Sequence, residues 1–380
     1  MSKKRSIFEE VETVEKAAPM TGVIDAGKRG ARKGIRFWLM TLFALVALMI
    51  LVGGLTRLTD SGLSITEWKP VTGAMPPMSE AAWQSEFDKY REIPEYKLQN
   101  QGMSLAEFQF IYWWEWGHRQ LGRVVGLVWA IGFFGFLLTR NIPTGWTGRL
   151  LGIGVLGGTQ GAVGWWMVSS GLTGTMLDVA SYRLATHLGL AFVILGFIAW
   201  FVFELKCEQR QLMQCRRHRE IKLYTLTTWL TALAFVQILL GALVAGIDAG
   251  RTYTDWPLMS GSFIPPYPLD LDPVWRNFFE NAGLVQFMHR MAGYALLVFG
   301  LILWRTARRS PNSGTRGAFT VVLAMMTLQM LLGIFTVLYG APLEIAIIHQ
   351  LGAVALWVLI LRARFYAGYP TPDTLRGAAS

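Results

Sequence analysis

Eight stretches of this chain, at about 36–56, 110–139, 149–169, 184–205, 223–246, 283–304, 317–338 and 344–365, each run for roughly twenty mostly apolar residues. That is the length an α-helix needs to cross a hydrocarbon layer about 30 Å thick. In that layer a chain must satisfy its backbone polar groups internally, as a helix does. Of 380 residues, 53% are hydrophobic and only 16% charged, whereas a soluble domain carries about 25% charged residues. The expected fold class is an all-α polytopic membrane protein with eight transmembrane helices.

A formal charge of +10 raises the question of a nucleic-acid partner, but its distribution answers it. Cations crowd one set of segments: Lys3, Lys4, Arg5, Lys28, Arg29, Arg32, Lys33 and Arg36 up to the start of the first stretch, then alternate loops, then Arg362 and Arg364 at the end of the last. The other loops are longer and balance fewer cations with acids. The cationic side of a membrane protein is cytoplasmic, so both termini are expected there and no nucleic acid is implied. Residues 1–35 are too polar and too long to begin a cleaved signal peptide, so the first stretch is expected to remain as an anchor. Cys207 and Cys215 lie in a cationic loop on the reducing side, where neither a disulfide nor a metal site is expected.

The chain repeats itself in order. "HRQLG" (118–122) returns as "HRMAG" (289–293), "QGAVG" (160–164) as "QMLLG" (329–333), and "THLG" (186–189) as "HQLG" (349–352). After the first stretch comes "TEWKP" (66–70) and after the fifth "TDWP" (254–257), each followed by Gly and then Pro-Pro. This predicts two tandem four-helix bundles in the same orientation, related by a pseudo-two-fold axis along the membrane normal. The expected divisions are a cytoplasmic tail (1–35), an N-terminal bundle (36–206), a cytoplasmic linker (207–222), a C-terminal bundle (223–365) and a second cytoplasmic tail (366–380). The recurrent helix glycines, Gly164 and Gly333 among them, read as packing residues.

Packing does not explain the histidines. Four of the five, His118, His187, His289 and His349, fall in apolar stretches, where an ionisable side chain is costly and marks a functional site. His118 and His187 precede the cations Arg140 and Lys206 by about 33 and 28 Å of helix, and His289 and His349 precede Arg305 and Arg362 by about 24 and 20 Å. All four therefore belong in the outer half of the bilayer. They occupy the second and fourth helices of each half, which lie diagonally across a four-helix bundle. Zinc needs more ligands than two histidines. A porphyrin brings four equatorial nitrogens, so each half reads as a bis-histidine haem site in preference to a proton relay. Arg119 and Arg290, directly after two of the histidines, are candidates to pair with haem propionates. Arg123 has no counterpart, since Tyr294 takes its place.

One feature breaks the symmetry. Glu115 lies three residues before His118, on the same helix face, while Gln286 lies three before His289. A carboxylate toward the haem edge suits proton transfer, and two purely electron-carrying haems would not need it on one side only. One haem therefore reads as a cofactor and the other as a group acted upon.

With the duplicated bundles, the four histidines and the "EWGHR" motif (115–119), the chain resembles the haem A synthase family from its first stretch to its last. The resemblance implies that the C8 methyl of haem O is oxidised to a formyl group in two successive steps, giving haem A for terminal oxidases. It further implies a permanent haem b on His289 and His349, haem O on His118 and His187, and Glu115 as the catalytic carboxylate. The setting is the cell inner membrane, and a haem O synthase and oxidase assembly factors are candidate partners. Members with a cysteine pair in the outer loops differ from this chain, which has none there. The rival reading is a bis-histidine di-haem b cytochrome for quinone-linked electron transfer, which leaves the Glu115/Gln286 difference unexplained. A transporter would need broken mid-membrane helices, which are not evident. In the first outer loop (about 57–109), "MSEAAWQSEFDKYREIPEY" reads as an amphipathic surface helix, either a gate or a structural cap.

Overall fold

The computed structural model describes residues 29–174 and 176–371, and the chain is all-helical: no β-strand occurs among these residues. Twelve α-helices follow in order: α1 (Arg29–Leu58), α2 (Glu80–Arg91), α3 (Pro94–Leu98), α4 (Leu105–Leu138), α5 (Thr147–Val168), α6 (Ser181–Lys206), α7 (Gln209–Arg217), α8 (Ile221–Gly246), α9 (Asn277–Glu280), α10 (Ala282–Ala307), α11 (Ser313–Leu338) and α12 (Leu343–Gly368). Among the described residues, seven helices, α1, α4, α6, α8, α10, α11 and α12, are long and apolar enough to cross a membrane. The third expected span, α5, does form a helix but falls outside that set. Its segment "GIGVLGGTQGAVG" (152–164) trades hydrophobic side chains for glycines. The remaining helices carry large apolar side chains outward, such as Leu127, Ile131, Phe197 and Trp229. A water-soluble fold would bury those; a lipid-facing one need not. The chain is a multi-pass membrane protein.

Local chemistry sets the helix starts. Ser104 caps α4 in a reciprocal box: the Glu107 backbone N–H donates to Ser104 Oγ (3.3 Å) and the Ser104 N–H donates to Glu107 Oε2 (2.7 Å). Such a box satisfies two amide donors that a helix leaves open. Asn281 caps α10 by accepting from the Leu284 N–H at 2.8 Å. The first helix begins at Arg29, so the polar residues 29–35, expected in a tail, extend it by about two turns. At the other end α12 runs on to Gly368, beyond the expected boundary at 365. Residues 1–28 and 372–380, the bulk of the two expected tails, lie outside the described residues. The expected linker 207–222 contains the short helix α7.

The packing is two rings of four. Helix α1 packs against α4 and α6, and α5 against the same two. Helix α8 packs against α10 and α12, and α11 against the same two. Helices α1 and α6 then meet α12, and α6 meets α8, along the seam between the rings. One continuous core runs through both rings, with Leu39, Leu195, Leu230, Leu303 and Ile360 fully buried. A separate core forms under the loop after α1, where Phe87 and Tyr90 of α2 pack on Phe108 and Tyr112 of α4. The amphipathic segment read from the sequence is thus α2 and α3, broken where Pro94 starts a new helix. This loop therefore sits as a packed aromatic cap on the mouth of the first ring.

Candidate functional site

The histidines come from helices that face each other across the rings. His118 is on α4 and His187 on α6; His289 is on α10 and His349 on α12. Each lies in the first half of its helix, toward the end that carries the long loops. His289 and His349 approach with ring centroids 6.5 Å apart and planes at 87°. One metal between two imidazoles needs two bonds of about 2.0–2.1 Å, which with the two ring radii comes to roughly 6–6.5 Å. Among the described residues no cluster of three or more His, Cys, Asp or Glu could hold a bare ion. A pair of this spacing fits an iron that brings its own equatorial ligands. Among the buried polar atoms of the C-terminal ring that lack a partner are His289 Nδ1 and Arg290 Nε, where an unmet group is costly unless a ligand completes it.

The glycines read as packing residues prove to pack against the histidines themselves. A Cβ on Gly164 of α5 would lie 2.9 Å from His187 Cε1, and one on Gly333 of α11 would lie 3.0 Å from His349 Cε1. Gly241 of α8 stands 3.1 Å from His289 Cε1, and Gly53 of α1 stands 3.3 Å from His118 Nε2, by the same measure. Each imidazole lies in a slot that exists because the neighbouring helix has no side chain there. The sequence already held the signal: "QILLG" (237–241) repeats the Q-x-x-x-G pattern of the third helices. The glutamines of that pattern hold the histidine backbones. Gln160 Nε2 donates to the His187 carbonyl (2.9 Å), Gln237 Nε2 to that of His289 (3.0 Å) and Gln329 Nε2 to that of His349 (2.8 Å).

Glu115 is 3% exposed and accepts four hydrogen bonds. Arg119 donates to Oε1 from Nε (3.0 Å) and Nη2 (2.6 Å), while Ser64 Oγ and the Ile65 N–H donate to Oε2 at 2.7 Å each. Its arginine partner is thus the next turn of its own helix, and both are tied to the loop after α1. Arg119 also donates to the carbonyls of Ile65 (2.7 Å) and Glu67 (2.9 Å). Arg290 repeats this, donating to Leu258 O (2.9 Å), Tyr253 O (3.0 Å) and Gln286 Oε1 (3.2 Å). Both arginines, read from the sequence as propionate partners, have their Nη atoms committed to loop carbonyls; Arg290 Nε is the donor left over. Arg123 donates to Lys69 O and Pro70 O, both at 2.9 Å, and fastens the same loop.

Gln286 is 2% exposed and donates to Tyr253 O (3.1 Å). The loop backbone thus presents an N–H to Glu115 and a carbonyl to Gln286. The two positions are matched in place and opposite in hydrogen-bond sense. Next to Arg119 and Arg123, a cleft of about 290 Å³ opens between the cap and α4, lined also by Glu67, Lys69 and Tyr112.

Fold and side chains together define a polytopic membrane protein with two like-built histidine sites, one of which alone carries a buried carboxylate. Comparison with known proteins specifies the family. Residues 36–361 match the family model described as cytochrome oxidase assembly protein (COX15-CtaA), and the chain belongs to that family. It is 67% identical over the full length of both chains to a protein of Dinoroseobacter shibae named "Heme A synthase". Proteins of the same name from Ruegeria pomeroyi (64% identical, 99% of this chain and 100% of the relative) and Paracoccus denitrificans (61%, 98% and 99%) are similar to it as well.

Proposed function

We propose that the chain is a haem A synthase, an oxidoreductase of haem A biosynthesis that takes haem O as substrate and oxidises its C8 methyl to a formyl group in two successive steps. The observation that carries the reading is the difference between like positions: a buried carboxylate, Glu115, before His118 and an amide, Gln286, before His289. Full-length likeness to relatives named "Heme A synthase" supports it. In this reading residues 36–206 and 223–365 are two halves related by a pseudo-two-fold axis, and α5 completes eight spans. The rings share one order of neighbours, which is what such a relation requires. The long loops face outward and both termini are cytoplasmic.

His289 and His349 hold a permanent haem b, which when bound supplies one-electron transfer. His118 and His187 receive haem O. Arg119 and Arg290 hold the loops beside the histidine sites, and Arg290 Nε is the donor that would pair with a haem propionate. Going from methyl to formyl takes up one oxygen, as from water, passes electrons to an external acceptor and releases protons at one carbon. A proton acceptor is therefore needed beside the substrate, and Glu115 takes that part. Its position under the cap keeps it out of bulk water, and Ser64 and Arg119 orient it. Haem O synthase and oxidase assembly factors are the partners that would deliver substrate and take product.

The test is the pigment extracted from the protein purified from a host that makes haem O, resolved by liquid chromatography. Haem b together with haem A is expected. Haem b alone, at two per chain, would make it a di-haem cytochrome instead.

A further inference from the structure

The amides that hold the histidines occur at three of the four. Besides bonding the histidine carbonyl, Gln160 Nε2 stands 3.2 Å from His187 Nδ1, Gln329 Nε2 stands 3.2 Å from His349 Nδ1, and Gln237 Nε2 stands 3.5 Å from His289 Nε2. The carbonyl oxygens of all three glutamines are buried and have no donor. The same Nε2 that donates to the histidine carbonyl thus rests against the ring, so each amide braces the backbone and the imidazole together. At His118 the pattern fails. Counting back four residues from Gly53, as Gln237 precedes Gly241, gives Met49. Its place in space matches too: a Cβ on Gly122 would meet Met49 Cε at 3.4 Å, where one on Gly293 would meet Gln237 Nε2 at 3.3 Å. A thioether donates nothing and accepts weakly. Among the described residues no side chain from another helix is hydrogen-bonded to His118.

We infer that Met49 is a positioning residue that makes His118 the exchangeable ligand: by withholding the amide that steadies the other three histidines, it lets the N-terminal site release its haem. The inference rests on the two-site reading above and adds the residue that sets the difference. A histidine ligand whose orientation is held by a neighbouring polar group binds metal more strongly, and losing such a supporting partner typically costs about 10–100-fold in affinity. His187, His289 and His349 have the partner and His118 does not, so the weakest iron bond falls in the half that carries Glu115. A synthase needs that bond to be weak, because substrate must enter and product leave. The opposite ring, with an amide at both histidines, is built for retention.

The experiment follows haem loss, not catalysis. Full-length protein in detergent micelles is loaded with protohaem in both sites and mixed with excess apomyoglobin as haem acceptor; transfer is read by absorbance. The parent is expected to lose haem in a fast and a slow phase, and His118→Ala, which removes the N-terminal ligand, should abolish or accelerate the fast phase alone. Met49→Gln should slow the fast phase about tenfold or more, while Met49→Leu, which also lacks an amide, should leave it fast. Gln237→Met should speed the slow phase, an arm that stands if Met49→Gln folds poorly. Two phases with a fast phase indifferent to Met49→Gln, or a slow phase indifferent to Gln237→Met, would overturn the role of Met49 and leave the two-site reading intact. Uptake of a single haem whose loss ignores His118→Ala would overturn the two-site reading, and this inference with it.

Discussion

Replacing Glu115 by glutamine changes one oxygen to an NH2 in a site where both oxygens already accept two hydrogen bonds. From the sequence alone, Gln286 suggests that the change keeps size and much of the hydrogen bonding. The structure locates the bond that is lost. If the amide oxygen stays on Arg119, the NH2 meets the Ile65 N–H; Ser64 can turn its hydroxyl to accept, but a backbone N–H cannot. One buried donor left unmet costs about 1–3 kcal/mol, so Glu115→Gln is expected to loosen the cap by that amount. Loss of a positioned proton acceptor lowers a rate by about 10²-fold or more, or roughly 2.7 kcal/mol of barrier. The two effects separate with Ser64→Ala, which removes one hydrogen bond to the carboxylate, costs about 1.5–3 kcal/mol and leaves the acid group in place. Thermal unfolding should show comparable losses in both variants. Liquid chromatography of extracted haems should show haem A collapsing in Glu115→Gln and staying close to parental in Ser64→Ala. Near-parental haem A in Glu115→Gln would refute a proton-transfer role, and equal collapse in both would make the network structural.

Further outcomes follow from the same geometry. His289→Ala and His349→Ala should each strip most of the haem b, seen as loss of the low-spin reduced spectrum, whereas His118→Ala and His187→Ala should keep haem b and lower haem A. Gly333→Ala places a methyl 3.0 Å from His349 Cε1, so haem b retention should fall, while Gly157→Ala, which meets nothing within 4 Å, should behave as the parent. Glu95, in the cap, is raised from 4.5 to about 8, by burial first and then by the charges of Asp178, Glu115 and Asp60. Its folded form holds the proton more tightly than the unfolded one, so stability should be highest below about 4.5 and decline as pH rises toward 8, by up to about 1.4 kcal/mol per unit. Glu95→Gln should flatten that decline in unfolding midpoints measured from pH 5 to 8; an unchanged slope would assign the decline to another group.

Hydropathy alone placed the helices within a few residues, because a bilayer rewards length and apolarity without regard to partners. Sequence and structure part at residues 29–36, where a polar segment continues the helix; α5 forms within two residues of its expected place, though glycines dilute its apolarity. The order of motifs located the four histidines and the Glu115/Gln286 difference. It did not distinguish a glycine that lets two helices approach from Gly164 or Gly333, which make room for an imidazole; that depends on which residue faces it across the ring. The fate of Arg119 was hidden for the same reason, since its acceptors at Ile65 and Glu67 lie some fifty residues earlier in the chain. Gln237 was legible as part of a third Q-x-x-x-G and Met49 as its exception, once it was known what the pattern holds.

The seam between the rings carries one bond that ties their sites together. Gln350, next to His349, donates to the carbonyl of Ile50 at 2.5 Å, and its side chain fits there because residue 54 is glycine. One position earlier, Gly53 forms the seat of the His118 ring. Helix α1 therefore touches one site with one glycine and is held by the other site at the next. A slide of α1 by a single residue, about 1.5 Å, would carry Ile50 out of reach of Gln350. In the proposed reading the wall beside the substrate site is thus anchored to the helix that would hold haem b, so the two sites share one brace.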